Sequence, residues 1–388
     1  MDRPPLPRFA FRPAPPTLWN QLRSGVSDVA SVVPDAILSE PAVQLPNFGA
    51  PLVVSDPALV REVLNDRHGR FERDRFMRRL FRRSWGQGLA GVEGEAWRRQ
   101  RHAAAPAFRA QAVDVAAGAF ASAAERAATA WPRGEAVDLP PQIARIIADI
   151  VFAVLVDARG AVEPEAVAAD MPAYVRRIAR FGLRDLLPLP EVWHDRLSGI
   201  DADPAVRRLR ALAHRLASGR SDSARHNDMI ALIESVGPAE DNIRGLFPAA
   251  IDTTVAGASW TLYLLALRPE WQDRVAEEAR ACRTGLSLDR LSQTRRVVQE
   301  TLRLFPPAPF LIRSAAVDGK LGEFRVRRGQ PISISIYAMH RHRRHWSDPD
   351  DFDPDRFHPE NGHHEAYLPF GVGPRMCIAA QFALAEIT

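Results

Sequence analysis

Only two cysteines occur in the 388 residues, Cys282 and Cys377. Cys377 lies in a segment suited to chemistry: Phe370-Gly-Val-Gly-Pro-Arg-Met-Cys-Ile-Ala-Ala380. Two glycines and a proline shape a tight loop whose backbone can approach a ligand closely. The loop runs into Ile378 to Thr388, which reads as the start of a helix and places Cys377 at or near its N-terminus. Backbone N–H groups and the helix dipole there stabilise an anion and lower the thiol pKa. A thiolate so placed is a good ligand for an iron centre. Arg375, two residues earlier, is positioned for an anionic group beside the metal. Two other readings remain open. A lone cysteine is often a small buried hydrophobe in a turn. His358, His363 and His364 raise a zinc site, although structural zinc usually shows paired ligands at short spacing and no second cysteine lies here.

Three further groups could take part. Ala249-Ala-Ile-Asp-Thr-Thr254 lies inside an apolar stretch from Leu246 to Leu267, where an aspartate needs a reason. Pro248 allows a helix break there, with Asp252 as the N-cap of a new helix. The other reading is an acid–alcohol pair, Asp252 and Thr253, in a long, locally distorted helix. Glu300 and Arg303 share a helix face and can pair. Trp97 and Arg101 are four apart at the start of a helix and face the same way, an arrangement that a solvated arginine face also explains.

These residues need elements to hold them. From about Glu95 to Arg280 the pattern is mostly helical, dominated by alanine, leucine and arginine. Ala50 to Ser55 contains a short strand, followed by a helix over 56–65 with Asp56 as N-cap and Pro57 in the first turn. Strand-like runs return at 310–313, 324–326 and 331–337, and proline- and histidine-rich coils fill 339–369. The layout is mainly α with a small β portion, an α+β class, and no boundary divides 1–388. Apolar residues make up 46%, enough for a sizeable core. A net charge of +4 is too small to argue for nucleic acid. No apolar run approaches the roughly 18 residues of a bilayer span, and the N-terminus lacks the apolar centre of a secretory signal. The expectation is a cytoplasmic protein without a membrane anchor.

The motif Phe-Gly-x-Gly-Pro-Arg-x-Cys-Ile resembles the haem-binding loop of the cytochrome P-450 family, here of the soluble, bacterial type. Ala379 stands where the family usually has glycine. The resemblance implies a triangular helical domain with a long central helix over the haem. It implies haem b as cofactor, Cys377 as its thiolate ligand and Phe370 beside it. The 249–254 segment is similar to the family's distal-helix pattern, with Ala249 and Ala250 at the oxygen-binding groove; Ala250 replaces the usual glycine. Asp252 and Thr253 would then deliver protons, through water, to dioxygen. Trp97, Arg101, Arg313 and Arg375 match haem-propionate ligands. Glu300 and Arg303, with Arg356 of Phe352-Asp-Pro-Asp-Arg-Phe357, match a buried structural network.

The implied activity is that of a haem-thiolate monooxygenase acting on an apolar small molecule, with peroxide-driven oxidation or non-catalytic haem binding as alternatives. Pocket-lining segments are expected, as loops, at 79–89 and 178–187, with Leu246, Phe247, Phe310 and Leu311 supplying apolar surface. Electrons would come from a separate ferredoxin- or flavodoxin-type donor docking on Arg98, Arg99, Arg343 and Arg344. His340-Arg-His-Arg-Arg-His345 reads as a solvated or partner-facing loop. Family members continue the helix after the cysteine and add a β-hairpin. This sequence stops 11 residues after Cys377, so it is expected to lack that end and to retain haem less tightly.

Overall fold

The computed structural model describes residues 5–9, 11, 33–46, 50–132, 134–158, 162–179, 199–220, 228–282, 288–362 and 364–388. The described strands are β1 Ala42–Gln44, β2 Leu52–Val54, β3 Phe71–Arg73, β4 Phe310–Ala315, β5 Gly319–Leu321, β6 Phe324–Val326 and β7 Pro331–Ser335. The helices are α1 Pro57–Leu64, α2 Arg75–Trp85, α3 Gly94–Ala104, α4 Ala110–Ala130, α5 Leu139–Val154, α6 Pro164–Ala179, α7 Pro204–Ser218, α8 Met229–Ile233, α9 Ala239–Leu246, α10 Thr253–Ala266, α11 Pro269–Ala281, α12 Ser292–Leu304, α13 Ile336–Met339 and α14 Ala380–Ile387. The class is the mainly helical α+β one expected from the sequence. The chain divides into two compact units: described residues up to Met77 with Gln299–Cys377, and described residues from Arg78 to Val298 with Ile378–Thr388.

The first unit holds both sheets. Its five strands are ordered β1-β2-β7-β4-β3. The β2–β7 pair is parallel, with Val53 opposite Ser333, and the other neighbours are antiparallel. Pro331 opens β7, a strand position where its missing N–H is tolerated. Ile332 and Ile334 alternate with serines and are fully buried. The Asp56 carboxylate accepts from Ala58 N and Leu59 N and caps α1. Where the sequence suggests strand as far as Tyr337, the strand ends at Ser335. The Ser335 hydroxyl accepts from Ala338 N at 3.2 Å and starts the turn of α13 instead.

The second unit is built around α5, whose Ile143, Ile147 and Val151 recur every four residues on one buried face. Phe382 of α14 enters this core edge-on to Phe108 and Phe120, with ring centroids 6.1 and 5.0 Å apart. Residues 79–89 begin in a helix, not a loop. In α2, Arg75, Arg78, Arg79, Arg82 and Arg83 fall on one side and Phe76, Leu80, Phe81 and Trp85 on the other, a 3.6-residue pattern. Of residues 178–187, Ile178 and Ala179 end α6 and the rest lie outside the described residues.

Between α9 and α10 the helix does not break. Phe247–Asp252 forms a π-helical turn, and Asp252 has helical angles (φ −61°, ψ −43°) with no capping bond. The distorted-helix reading of this segment therefore replaces the N-cap reading. Pro248 has no N–H to donate, which favours a widened turn. Among the described residues no single helix is long and apolar enough to cross a membrane. The stretches 239–266 and 269–281 pass such a test only together, across a 112° bend.

Candidate functional site

In the first unit, the loop before Cys377 is held by its own backbone. Gly371 N–H donates to Leu368 O, Met376 N–H to Gly373 O and Cys377 N–H to Phe370 O, each at 3.0 Å. Gly371 and Gly373 both take positive φ, +71° and +84°. At Gly373 a Cβ would stand 2.2 Å from Leu64 O, so glycine lets the loop lie against the end of α1. Cys377 is exposed; Phe370, Arg313 and Arg375 are half-exposed in the same unit. The first helical residue of α14 is Ala380, so Cys377 sits just ahead of the helix and its N–H serves the loop. Ala379 has φ −93°, a conformation that does not call for the glycine usual there.

The same unit brings Glu300, Arg303 and Arg356 together. Arg303 is fully buried and uses all five of its N–H donors. Two go to the Glu300 carboxylate at 2.7 Å each, and three to the carbonyls of His340, Pro349 and Asp351 at 2.9, 2.7 and 2.9 Å. Glu300 also accepts from Asp353 N at 2.9 Å and has Arg356 Nε 3.5 Å away. Arg356 Nη2 donates to Asp348 O at 2.8 Å. The Glu300–Arg303 pair has its charges matched and all of the Arg303 donors satisfied, as a buried ion pair requires, whereas Arg356 Nε makes no hydrogen bond.

His340 corrects the sequence reading of 340–345 as a solvated loop. His340, Arg341 and His342 are buried, and only Arg343, Arg344 and His345 are exposed. His340 Nε2 accepts from Leu368 N at 2.9 Å, and Nδ1 faces Arg303 O at 3.2 Å. This is a neutral ring with Nδ1–H donating. Burial, with Arg303 beside it, pushes its pKa down to about 3. It thus links the Glu300–Arg303 pair to the residue two before Phe370. The apolar residues Ile336–Met339 leading into it are the sign in the sequence that the chain stays inside.

The second unit carries the remaining residues. Trp97 and Arg101 lie one turn apart on α3, both half-exposed. Asp252 is half-buried, and burial raises its pKa. Thr253 Oγ1 donates to Ala249 O at 2.7 Å, inside the π-helical turn. Ala249 is exposed and Ala250 half-exposed. Leu246 and Phe247, expected as pocket surface, are core residues: Phe247 is fully buried and packs on Phe152, centroids 5.8 Å apart. Phe310 and Leu311 are half-exposed and pack on the cores of the first unit. Arg98 and Arg99 are exposed, Arg98 pairing with Glu95 at 3.1 Å.

A thiol-bearing loop ahead of a helix, with a buried Glu–Arg pair behind it, is an arrangement that suits a thiolate ligand to iron. Residues 239–388 match the family model for cytochrome P450. It is 27% identical to LUTEIN DEFICIENT 5, a chloroplastic protein of Arabidopsis thaliana, over 86% of this chain and 63% of that one. It is 28% identical to cytokinin hydroxylase of the same plant, over 78% and 64% of the two chains. It is 42% identical to cytochrome P450 4V2 of Mus musculus, over 35% and 28%. The chain thus spans less than two-thirds of the length of these relatives.

Cytochromes P450 bind haem, iron protoporphyrin IX, and the residues present suit it. Cys377 offers one soft sulfur donor from a loop fixed on both sides, so an iron held there would arrive with its other ligands already in place, as in a porphyrin. Arg313 and Arg375, in the same unit, are permanent cations of the kind that propionates would need. The zinc alternative fares worse. His364 Nε2 is 2.8 Å from Arg356 O, His358 Nδ1 caps Glu360 N and His363 lies outside the described residues. Among the described residues no three His, Cys, Asp or Glu groups gather as metal ligands.

Proposed function

We propose that the chain is a haem-thiolate monooxygenase that inserts one oxygen atom of dioxygen into an apolar small organic molecule. The observation that carries this is Cys377, exposed on a loop pinned by three backbone hydrogen bonds and two positive-φ glycines. The bound haem supplies the redox-active iron at which dioxygen is activated. Cys377 would hold the haem iron through its thiolate, with Phe370 in the same loop. Trp97, Arg101, Arg313 and Arg375 would hold the propionates by charge-assisted hydrogen bonds. Asp252 is the proton donor: burial raises its pKa, which brings the protonated form closer to working pH. Thr253 keeps its oxygen available to hold a water while its own hydrogen goes to Ala249 O. Glu300, Arg303 and Arg356 brace the loop from behind.

The test is the optical spectrum of the reduced, carbon-monoxide-bound protein. Wild type should show the red-shifted band of thiolate ligation, and Cys377→Ala should lose it; a red-shifted band in both would remove Cys377 from the role. With a surrogate electron donor, Asp252→Asn should lower the rate of product formation by about 100-fold, as loss of a general acid does. We further propose a separate acidic electron donor of the ferredoxin or flavodoxin type, recognised by exposed arginines that include Arg98, Arg99, Arg343 and Arg344.

A further inference from the structure

The first unit contains a short N-terminal segment that none of the roles above uses. Arg8 Nη1 donates to Asp350 Oδ2 at 2.7 Å, and Phe9 N–H donates to the Tyr337 hydroxyl at 3.1 Å. Phe11 N–H donates to Phe9 O at 3.1 Å, a tight turn that brings both rings onto Tyr337. Their centroids stand 4.3 and 5.7 Å from that of Tyr337. The Arg341 guanidinium lies over the same ring, 3.9 Å from its centroid. A ring takes a second ring and a guanidinium this close only on its two faces, so Tyr337 is sandwiched between Phe9 and Arg341. Asp350 closes the arrangement: its Oδ1 accepts from Arg341 Nε at 3.3 Å while its Oδ2 holds Arg8.

The two anchors lie on separate stretches of chain. Tyr337 belongs to α13, and the residue that ends that turn is His340, whose carbonyl accepts from Arg303 and whose ring accepts from Leu368 N. Asp350 lies between Pro349 and Asp351, whose carbonyls accept two further Arg303 donors. Residues 8–11 therefore join the two stretches that supply all three carbonyls around the Arg303 guanidinium. The bonds that hold the segment are of the kind that can let go. Arg8 and Asp350 have side chains 57% and 41% exposed, a pair that salt screens and that contributes little alone. The rings contribute more: Phe11 packs against the cluster of Val33, Ile37 and Ala338, while Phe9 stays 40% exposed. Among the described residues no strand pairs with this segment, so it can lift without opening a sheet.

We propose that residues 8–11 form a strap that clamps 337–341 to 349–351 and closes the carbonyl cage around Arg303, and that its opening loosens the brace behind the Cys377 loop. The second half rests on the haem-thiolate reading of that loop; the clamp itself does not. Amide hydrogen exchange of the whole chain reads the clamp. In Phe9→Ala/Phe11→Ala, the amides of 340–351 and of Leu368 should exchange about ten-fold faster, while the β4–β7 ladder keeps its rates. Phe9→Tyr/Phe11→Tyr, which keeps both rings, should exchange as wild type does. Unchanged exchange over 340–351 in the alanine variant overturns the proposal. A uniform rise across the sheet also overturns it, since that would mean only a weaker fold.

Salt gives the second readout. Raising the ionic strength from about 0.1 to 1 M should speed exchange over 340–351 by about two- to five-fold in wild type and leave Arg8→Ala unmoved. The same response in both overturns the anchor at Asp350. The carbon-monoxide spectrum reads the far end: the red-shifted fraction should fall in the alanine variant and return in the tyrosine one. A full red-shifted band together with fast exchange at Leu368 overturns the link to the Cys377 loop. If the alanine variant does not fold, exchange in Phe9→Leu and the salt response of Arg8→Ala decide. A red-shifted band that survives in Cys377→Ala would strike down the ligand reading itself and leave the exchange result standing.

Discussion

His340 shows how a single buried ring couples charge to stability. Its pKa falls from 6.5 to about 3 in the folded chain. Between those values the unfolded chain binds a proton that the folded chain refuses. Stability is therefore full above about 6.5 and is lost as pH falls toward 3. His340→Gln should flatten this acid limb by a few kcal/mol, read by urea unfolding at a series of pH values. Arg303→Ala should be harsher, about 3–5 kcal/mol, because it strands the buried Glu300 carboxylate and three carbonyls. Arg356→Ala should cost only about 1 kcal/mol, since its Nε stands 3.5 Å from Glu300 at the rim of the network. Equal losses for the two arginines would show that the network is not centred on Arg303.

At the scale of elements, the 370–377 loop separates two glycines that look alike in the sequence. Both have positive φ, so alanine at either position carries backbone strain of about 1–2 kcal/mol. At Gly371 the nearest heavy atom to an added Cβ is Leu311 Cδ1 at 3.7 Å, ordinary contact. At Gly373 it is the Leu64 carbonyl at 2.2 Å, which forces the loop off α1. Gly373→Ala should therefore lower the melting temperature more than Gly371→Ala and should reduce haem retention, read as the Soret-to-protein absorbance ratio after gel filtration. The cap on α1, the strand cores and the widened turn around Asp252 were all legible beforehand, because each follows from local chemistry: a short acidic side chain before a proline, alternating isoleucines, a proline and threonines inside an apolar run. Residues 79–89 read as loop in the sequence, although the arginines and aromatics of 75–85 have helical spacing. The strand end at Ser335 was missed because a serine cap competes with β-pairing only once the chain behind it is packed.

At the scale of the whole molecule, the two units draw on segments far apart in sequence, the first joining the N-terminal strands to residues 299–377. Charge reversal at Arg98 and Arg99, both exposed on α3, should slow electron transfer from an acidic donor and weaken its dependence on ionic strength. Stopped-flow reduction across a salt series measures this, and unchanged rates would move the docking surface elsewhere.

The candidate cysteine, its loop, the Asp252–Thr253 neighbours and the Glu300–Arg303 pair could be named without coordinates, because each depends on residue types at short spacing. Other features needed the tertiary structure. Arg303 finds carbonyls 37 to 48 residues away, and His340 and Phe247 turn inward. Burial, and the carbonyls and hydroxyls left over for side chains to bind, are set by which distant segments pack together, and residue spacing along the chain carries no record of that.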